Sequence, residues 1–216
     1  MLPGNSSRPV NSGVGPLIET WSRDDQAMHL INSANQFLDP YGMDTLTLAR
    51  RYSYLWTGEA VSATIFIILL ITGAVREGHW VHWIDRAYSV GIVAWILAQA
   101  VIFWRWKLRL LAQEHRALPP EVVLRFRWFK LLNWLLIVAF PLVVLVGWLL
   151  AGKRLSQADV GLGTLFLLGA ILEQINYYYY QLMYDSRYDW RYLMLHKRLR
   201  IGSIAKMLTQ RISGAG

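Results

Sequence analysis

Four long apolar stretches constrain this chain more than any other feature. A helix needs about twenty residues, rising about 1.5 Å each, to cross the hydrocarbon of a bilayer. The stretches at residues 55–75, 86–104, 131–150 and 160–180 all reach that length. The fold class read from them is all-α: a polytopic integral membrane protein with four transmembrane helices and cytoplasmic helical extensions. Composition agrees, with 55% hydrophobic residues, 17% charged and a mean hydropathy of +0.28, where soluble domains carry about a quarter charged. The chain has no cysteine, which excludes disulfides and thiolate metal sites.

Lysine and arginine are divided unevenly between the two sides of such a bundle. Arg8, Arg23, Arg50 and Arg51 precede the first span, seven basic residues lie between Arg105 and Lys130, and seven more follow the fourth span. The two short connections hold only Arg76, Arg86, Lys153 and Arg154. The positive-inside rule then places both termini and the central loop in the cytoplasm, in the plasma (inner) membrane. The net charge of +8 is accounted for by topology and by contact with anionic lipid headgroups. No nucleic-acid-binding pattern accompanies it.

Residues 1–16 are rich in Gly, Ser, Asn and Pro and are expected to form a disordered tail. The Asn5-Ser6-Ser7 sequon falls on the cytoplasmic side of this topology and is noise. The first 54 residues hold no apolar core of signal-peptide type, so no cleavage is expected. Residues 17–54 are expected to be a cytoplasmic amphipathic helical segment, interrupted at Asp39-Pro40, with Asp44 capping the helix that enters the first span. The bundle at 55–180 includes a cytoplasmic hairpin at 105–130, with Pro119-Pro120 starting its second arm. Pro141 is expected to bend the third span. Residues 181–216 are expected to be a basic helical tail. In it Tyr180, Tyr184, Tyr188 and Tyr192 form one stripe, and a short helix with Ile204, Met207, Leu208 and Ile212 on one side lies on anionic lipid or packs on the hairpin.

The sequence Glu173-Gln174-Ile175-Asn176, followed by four tyrosines, stands where the fourth span should leave the membrane. Four consecutive tyrosines encircle a helix, as a headgroup girdle requires, with Trp104, Trp106, Trp128 and Trp134 completing it on the hairpin. All four spans carry polar groups at similar depth: Glu59, Gln99, Asn133, and Glu173 with Asn176. As structure, this layer is interhelical glue; as function, it is an intramembrane polar site for ions, protons or a ligand.

Three weaker patterns remain. Ala87, Gly91, Ala94 and Ala98 form a small-residue face suited to close helix packing. His79 and His82 lack a third ligand, so no metal site is assigned. No histidine lies inside a span, and no cofactor is expected. Gln181, Asp185 and Asp189 form a cytoplasmic acidic stripe whose simplest role is ion pairing with neighbouring arginines.

HExxH, GxSxG and P-loop patterns are absent. The expected function is therefore a non-enzymatic interaction or assembly subunit of a membrane complex, partnered by protein or by copies of itself. A homo-oligomeric ion or proton channel or permease using the polar layer is the alternative. A lipid-modifying membrane enzyme built on Asp185 and Asp189 is the third.

Overall fold

Asp44 opens the first helix as a side-chain cap. Its carboxylate accepts from the Thr47 N–H at 3.3 Å and its carbonyl from the Leu48 N–H at 3.1 Å, which satisfies first-turn donors. Hydrogen bonding to Thr47 holds this exposed carboxyl below its usual range. The computed structural model describes residues 44–77, 83–112, 119–151, 157–184 and 187–210. The expected N-terminal tail and amphipathic segment before Asp44, the His79 and His82 pair and the hairpin tip lie outside these residues.

Four long helices follow: α1 (Thr45–Glu77), α2 (Ile84–Ala112), α3 (Pro120–Leu150) and α4 (Gln157–Tyr178). All four are long and apolar enough to cross a membrane. Apart from one isolated β-bridge, regular structure among the described residues is helical. The second helix continues past Trp104, and the third starts at Pro120 with Glu121 in its first turn. The fixed φ of proline suits that position, where its missing N–H costs nothing. Helix α3 runs on through Pro141.

The helices alternate in direction around α2. Tyr52 stacks near Trp104 at 5.6 Å and Gly73 faces Trp83, which makes α1 and α2 antiparallel. Phe103 meets Phe126 at 5.8 Å, near the start of α3, while Tyr88 donates to the Leu136 carbonyl at 2.9 Å further along it. Helix α4 runs parallel to α2, from Gly163 against Asp85 to Tyr178 against Gln99. An apolar helix without a polar face belongs in a core, and Ile92, Val93, Ile96, Leu97, Ala100 and Phe103 of α2 are all buried. Helices α1, α3 and α4 instead expose Ile, Leu and Val outward, with Val138 at 71%.

The tail does not continue the fourth helix as expected. Helix α4 ends at Tyr178, and Tyr180 pairs with Ile201 in an antiparallel bridge. Gln181 N–H donates to the Arg200 carbonyl and Gly202 N–H to that of Tyr179, both at 2.9 Å. Tyr180, Tyr184 and Tyr192 therefore form no common stripe. Between the paired segments stands α5 (Arg187–His196), and after them comes α6 (Ser203–Gln210). Lys197 leaves α5 at φ 47°, with its N–H bonded to the Leu193 carbonyl at 2.8 Å.

Helix α6 rests on α3 and α4 and buries Ile204, Met207 and Leu208 in the cluster that holds Leu110, Val122, Val123 and Phe126. Of the two expected surfaces for this helix, the protein's own hairpin takes its apolar face. The return of the chain depends on Gly202, where an added Cβ would stand 2.7 Å from the Tyr177 carbonyl oxygen and 2.8 Å from that of Asn176. Backbone atoms cannot yield as flexible side chains do. Gly202→Ala should therefore undock the tail, at a cost of about 1–3 kcal/mol. Limited proteolysis should cut after residue 180 faster in the variant, and unchanged cleavage would contradict this account.

Candidate functional site

The polar residues in the bundle separate into two groups. In the first, Gln99 of α2 and Asn133 of α3 face each other as paired amides. Gln99 Nε2 donates to Asn133 Oδ1 at 2.8 Å, and Asn133 Nδ2 donates back to Gln99 Oε1 at 3.0 Å. The second Asn133 N–H reaches Gln174 Oε1 of α4 at 2.8 Å. Trp95 Nε1 donates to Asn133 Oδ1 at 3.1 Å, and the Tyr178 hydroxyl donates to Gln99 Oε1 at 2.7 Å. Gln174 Nε2 donates to the Lys130 carbonyl at 3.3 Å. Asn133 thus uses both donors and both acceptor positions of its amide. Gln99, Asn133 and Gln174 are at most 1% exposed, so the bonds among the three amides form away from competing solvent.

The second group lies between α1 and α4. The Tyr177 hydroxyl donates to the Glu59 carboxylate. Glu173 is half-buried and accepts from Asn176 Nδ2 at 3.5 Å. Asn176 also holds the chain that leaves its helix: its Oδ1 accepts from the Leu182 N–H at 2.8 Å and more weakly from that of Met183 at 3.4 Å. These bonds give the amide at that position a structural role. The five residues of the expected layer are therefore divided, with Gln99 and Asn133 in the amide group and Glu59, Glu173 and Asn176 beside it.

The tyrosine run is not the expected girdle. Tyr177 and Tyr178 are buried and direct their hydroxyls into the two polar groups. Tyr179 takes a hydrogen bond from Trp134 Nε1 at 2.9 Å and carries the Lys130 ammonium 4.0 Å above its ring. Only Tyr180 is exposed among the four, and Trp104 is buried as well. Consecutive helix positions point about 100° apart. In a bundle with neighbours on several sides, such a run can fill three interfaces at once.

Gln174, Tyr178, Trp95 and Tyr177 were not anticipated as site residues. The signal for Gln174 was its phase. Gly163, Ala170, Gln174 and Tyr178 follow one helix face, and the small residues mark where α4 approaches its neighbours. Glu173 is out of that phase by one residue. The close contact itself falls at Gly163, where an added Cβ would lie 3.1 Å from the Asp85 carbonyl oxygen. In the expected small-residue face, Ala94 is buried and Ala87, Gly91 and Ala98 are partly so, but a Cβ on Gly91 would meet nothing within 4 Å.

At the opposite end of the bundle, Asp85 and Ser89 are both 0% exposed. Neither the Asp85 carboxylate nor the Ser89 hydroxyl has a hydrogen-bond partner among the described residues. Arg86 pairs instead with Asp159 at 3.6 Å. In the acidic stripe, Gln181 Nε2 donates to the Met183 carbonyl at 3.0 Å. Asp185 and the Asp189 side chain lie outside the described residues. No family model, curated protein or solved structure matches the chain.

Removing Asn133 strands the amides of Gln99 and Gln174 in a dry interior. Asn133→Leu should therefore lower the unfolding free energy by about 1–3 kcal/mol. Glu173→Leu, which breaks one long hydrogen bond, should cost less than about 1 kcal/mol. Denaturation of both variants in mixed micelles measures the difference. The reverse order would show that Glu173, and not the amide group, holds the helices.

Proposed function

We propose that the chain is an integral protein of the plasma (inner) membrane, with both termini cytoplasmic, that acts as a non-enzymatic interaction and assembly subunit. The outward Ile, Leu and Val of α1, α3 and α4 suit hydrocarbon. The exposed threonines of those faces behave as lipid would require: Thr64 and Thr164 donate to the carbonyls of Ala60 and Val160 in their own helices at 2.7 and 2.8 Å.

The observation that carries the assembly reading lies outside the spans. Helix α5 exposes Trp190, Met194 and Leu195, the latter two by more than 70%, beside the basic residues Arg191, Lys197 and Arg198. Exposed aromatic and methionine side chains beside arginine are typical anchors of protein interfaces. The amide group supports the same reading, since neutral groups bonded to one another join helices and leave no reacting group.

A conducting protein is the second reading. It is favoured by Asp85 and Ser89 at one end of the bundle, which have no hydrogen-bond partner among the described residues, and by Glu59 and Glu173 near the other. Proteoliposomes loaded with a pH-sensitive dye distinguish the readings. The assembly reading expects no proton flux above protein-free vesicles, whereas flux lost in Glu173→Gln would favour conduction.

Orientation and interface have their own tests. With cysteines placed singly at Ala117 and Ser156, an impermeant thiol reagent should label only Ser156→Cys in intact cells. The opposite pattern would invert the topology. Replacing Trp190 and Met194 with alanine should release any stoichiometric partner that copurifies with the folded wild type. Retention of the partner would remove α5 from the interface.

A further inference from the structure

At the basic end a cavity opens between α1, α2, α4 and the returning tail. Arg51, Trp104, Lys107, Glu59, Asn176 and Ser203 are among the residues that line it. Four of its features favour a negative guest. Lys107 reaches it from α2, only 4% exposed, with its ammonium 5.2 Å from the Tyr52 ring centre and 5.6 Å from those of Phe103 and Trp104. Arg51 enters from α1. Ser203 is the first residue of α6, and the N–H groups of a helix's first turn, with the positive end of its dipole, bind oxyanions. Trp104 is buried, and its Nε1–H has no hydrogen-bond partner among the described residues.

Further positive charge stands behind these groups. Lys206, one turn along α6, acts on Lys107 together with Arg51. Burial, and then the charge of Arg200, pushes the Lys206 ammonium below its usual range. Arg51 of α1 and Lys107 of α2 thus line one small space, and Lys206 of the tail adds its charge from outside the lining. The carboxylate in the lining, Glu59, is engaged by the Tyr177 hydroxyl.

We propose that this cavity binds a phosphate group, held by Arg51, Lys107 and the first turn of α6. A guanidinium, an ammonium and oriented amides are the donor set that phosphate oxygens recognise. The phosphate has two possible sources, the headgroup of an anionic phospholipid or free phosphate in the cytoplasm. The lipid source rests on the bilayer reading given above, whereas the site does not. A bound phosphate would fasten the returning tail to α1 and α2, because Ser203 and Arg51 belong to segments far apart in sequence.

The full chain in a non-ionic detergent serves for the test, with short-chain phosphatidylglycerol and inorganic phosphate as separate probes and short-chain phosphatidylcholine as the control. Native mass spectrometry reads stoichiometry, and titration calorimetry reads affinity. One phosphatidylglycerol or one phosphate should bind per chain. Arg51→Gln and Lys107→Gln should each weaken that binding about tenfold, equivalent to about 1.4 kcal/mol. Trp104→Phe, which removes the indole N–H together with part of the ring, should weaken it by a smaller factor.

Because Lys107 is buried, Arg51→Gln is the variant that decides if Lys107→Gln fails to fold. The exposed hairpin variant Arg127→Gln should bind as the wild type does. Binding of phosphatidylglycerol alone identifies the lipid source, and binding of inorganic phosphate alone identifies the free one. Both results keep the site, and the second keeps it even if the chain proves not to sit in a bilayer. Binding of neither probe, binding equally sensitive to Arg127→Gln, or binding indifferent to Arg51→Gln would overturn the proposal.

Discussion

The position of Asn133 between two other amides governs the rest of the structure. In the bilayer proposed for them, apolar helices would gain little from touching one another, and their association would depend on close packing and on hydrogen bonds across the interface. Each amide buried here loses hydration that only specific neighbours can replace. The Asn133 side chain makes its four hydrogen bonds with Trp95, Gln99 and Gln174, so α2, α3 and α4 have one register that satisfies it. Sliding any one helix by a residue breaks the set. Helix α1 is attached differently, through Tyr52 against Trp104 and the Tyr177–Glu59 contact.

From that register the basic end follows. Tyr178 belongs to the amide group, and its immediate neighbours Tyr177 and Tyr179 consequently face α1 and α3. The helix stops there, Asn176 holds the chain that leaves it, and Gly202 brings the tail back against its last carbonyls. The docking of α6 closes the cavity around Arg51 and Lys107. The proposed interface on α5 hangs from this strap.

The bundle itself was legible in the sequence because length and hydropathy are local properties. The four apolar stretches, the Asp44 cap, the Pro120 start and the extension of the second helix past Trp104 all come from residues close together in the chain. That Gln99 and Asn133 stand at one level was also legible, since rise per residue fixes it. Which polar residue faces inward was not. Between Glu173 and Gln174 the choice is a 100° rotation, and the charged residue is the more conspicuous of the two, yet the amide faces inward because it fits between Asn133 and the Lys130 carbonyl. The tyrosines were misassigned for a related reason. A ring of hydroxyls suits a headgroup layer and a polar interhelical contact equally well, and only the neighbours decide. The turn of the tail at Gly202 depends on contacts with residues 176–179, which no local pattern announces.

The central claim, that the paired amides of Gln99 and Asn133 hold the helices together, is tested most directly by a double-mutant cycle. Gln99→Leu, Asn133→Leu and the double variant would be unfolded from mixed micelles and compared with the wild type. If the pair acts as a unit, the second substitution should cost far less once the first is made, giving a coupling of about 1 kcal/mol or more. Additive costs, with coupling near zero, would contradict the account, because the two amides would then contribute independently and the register would be set elsewhere.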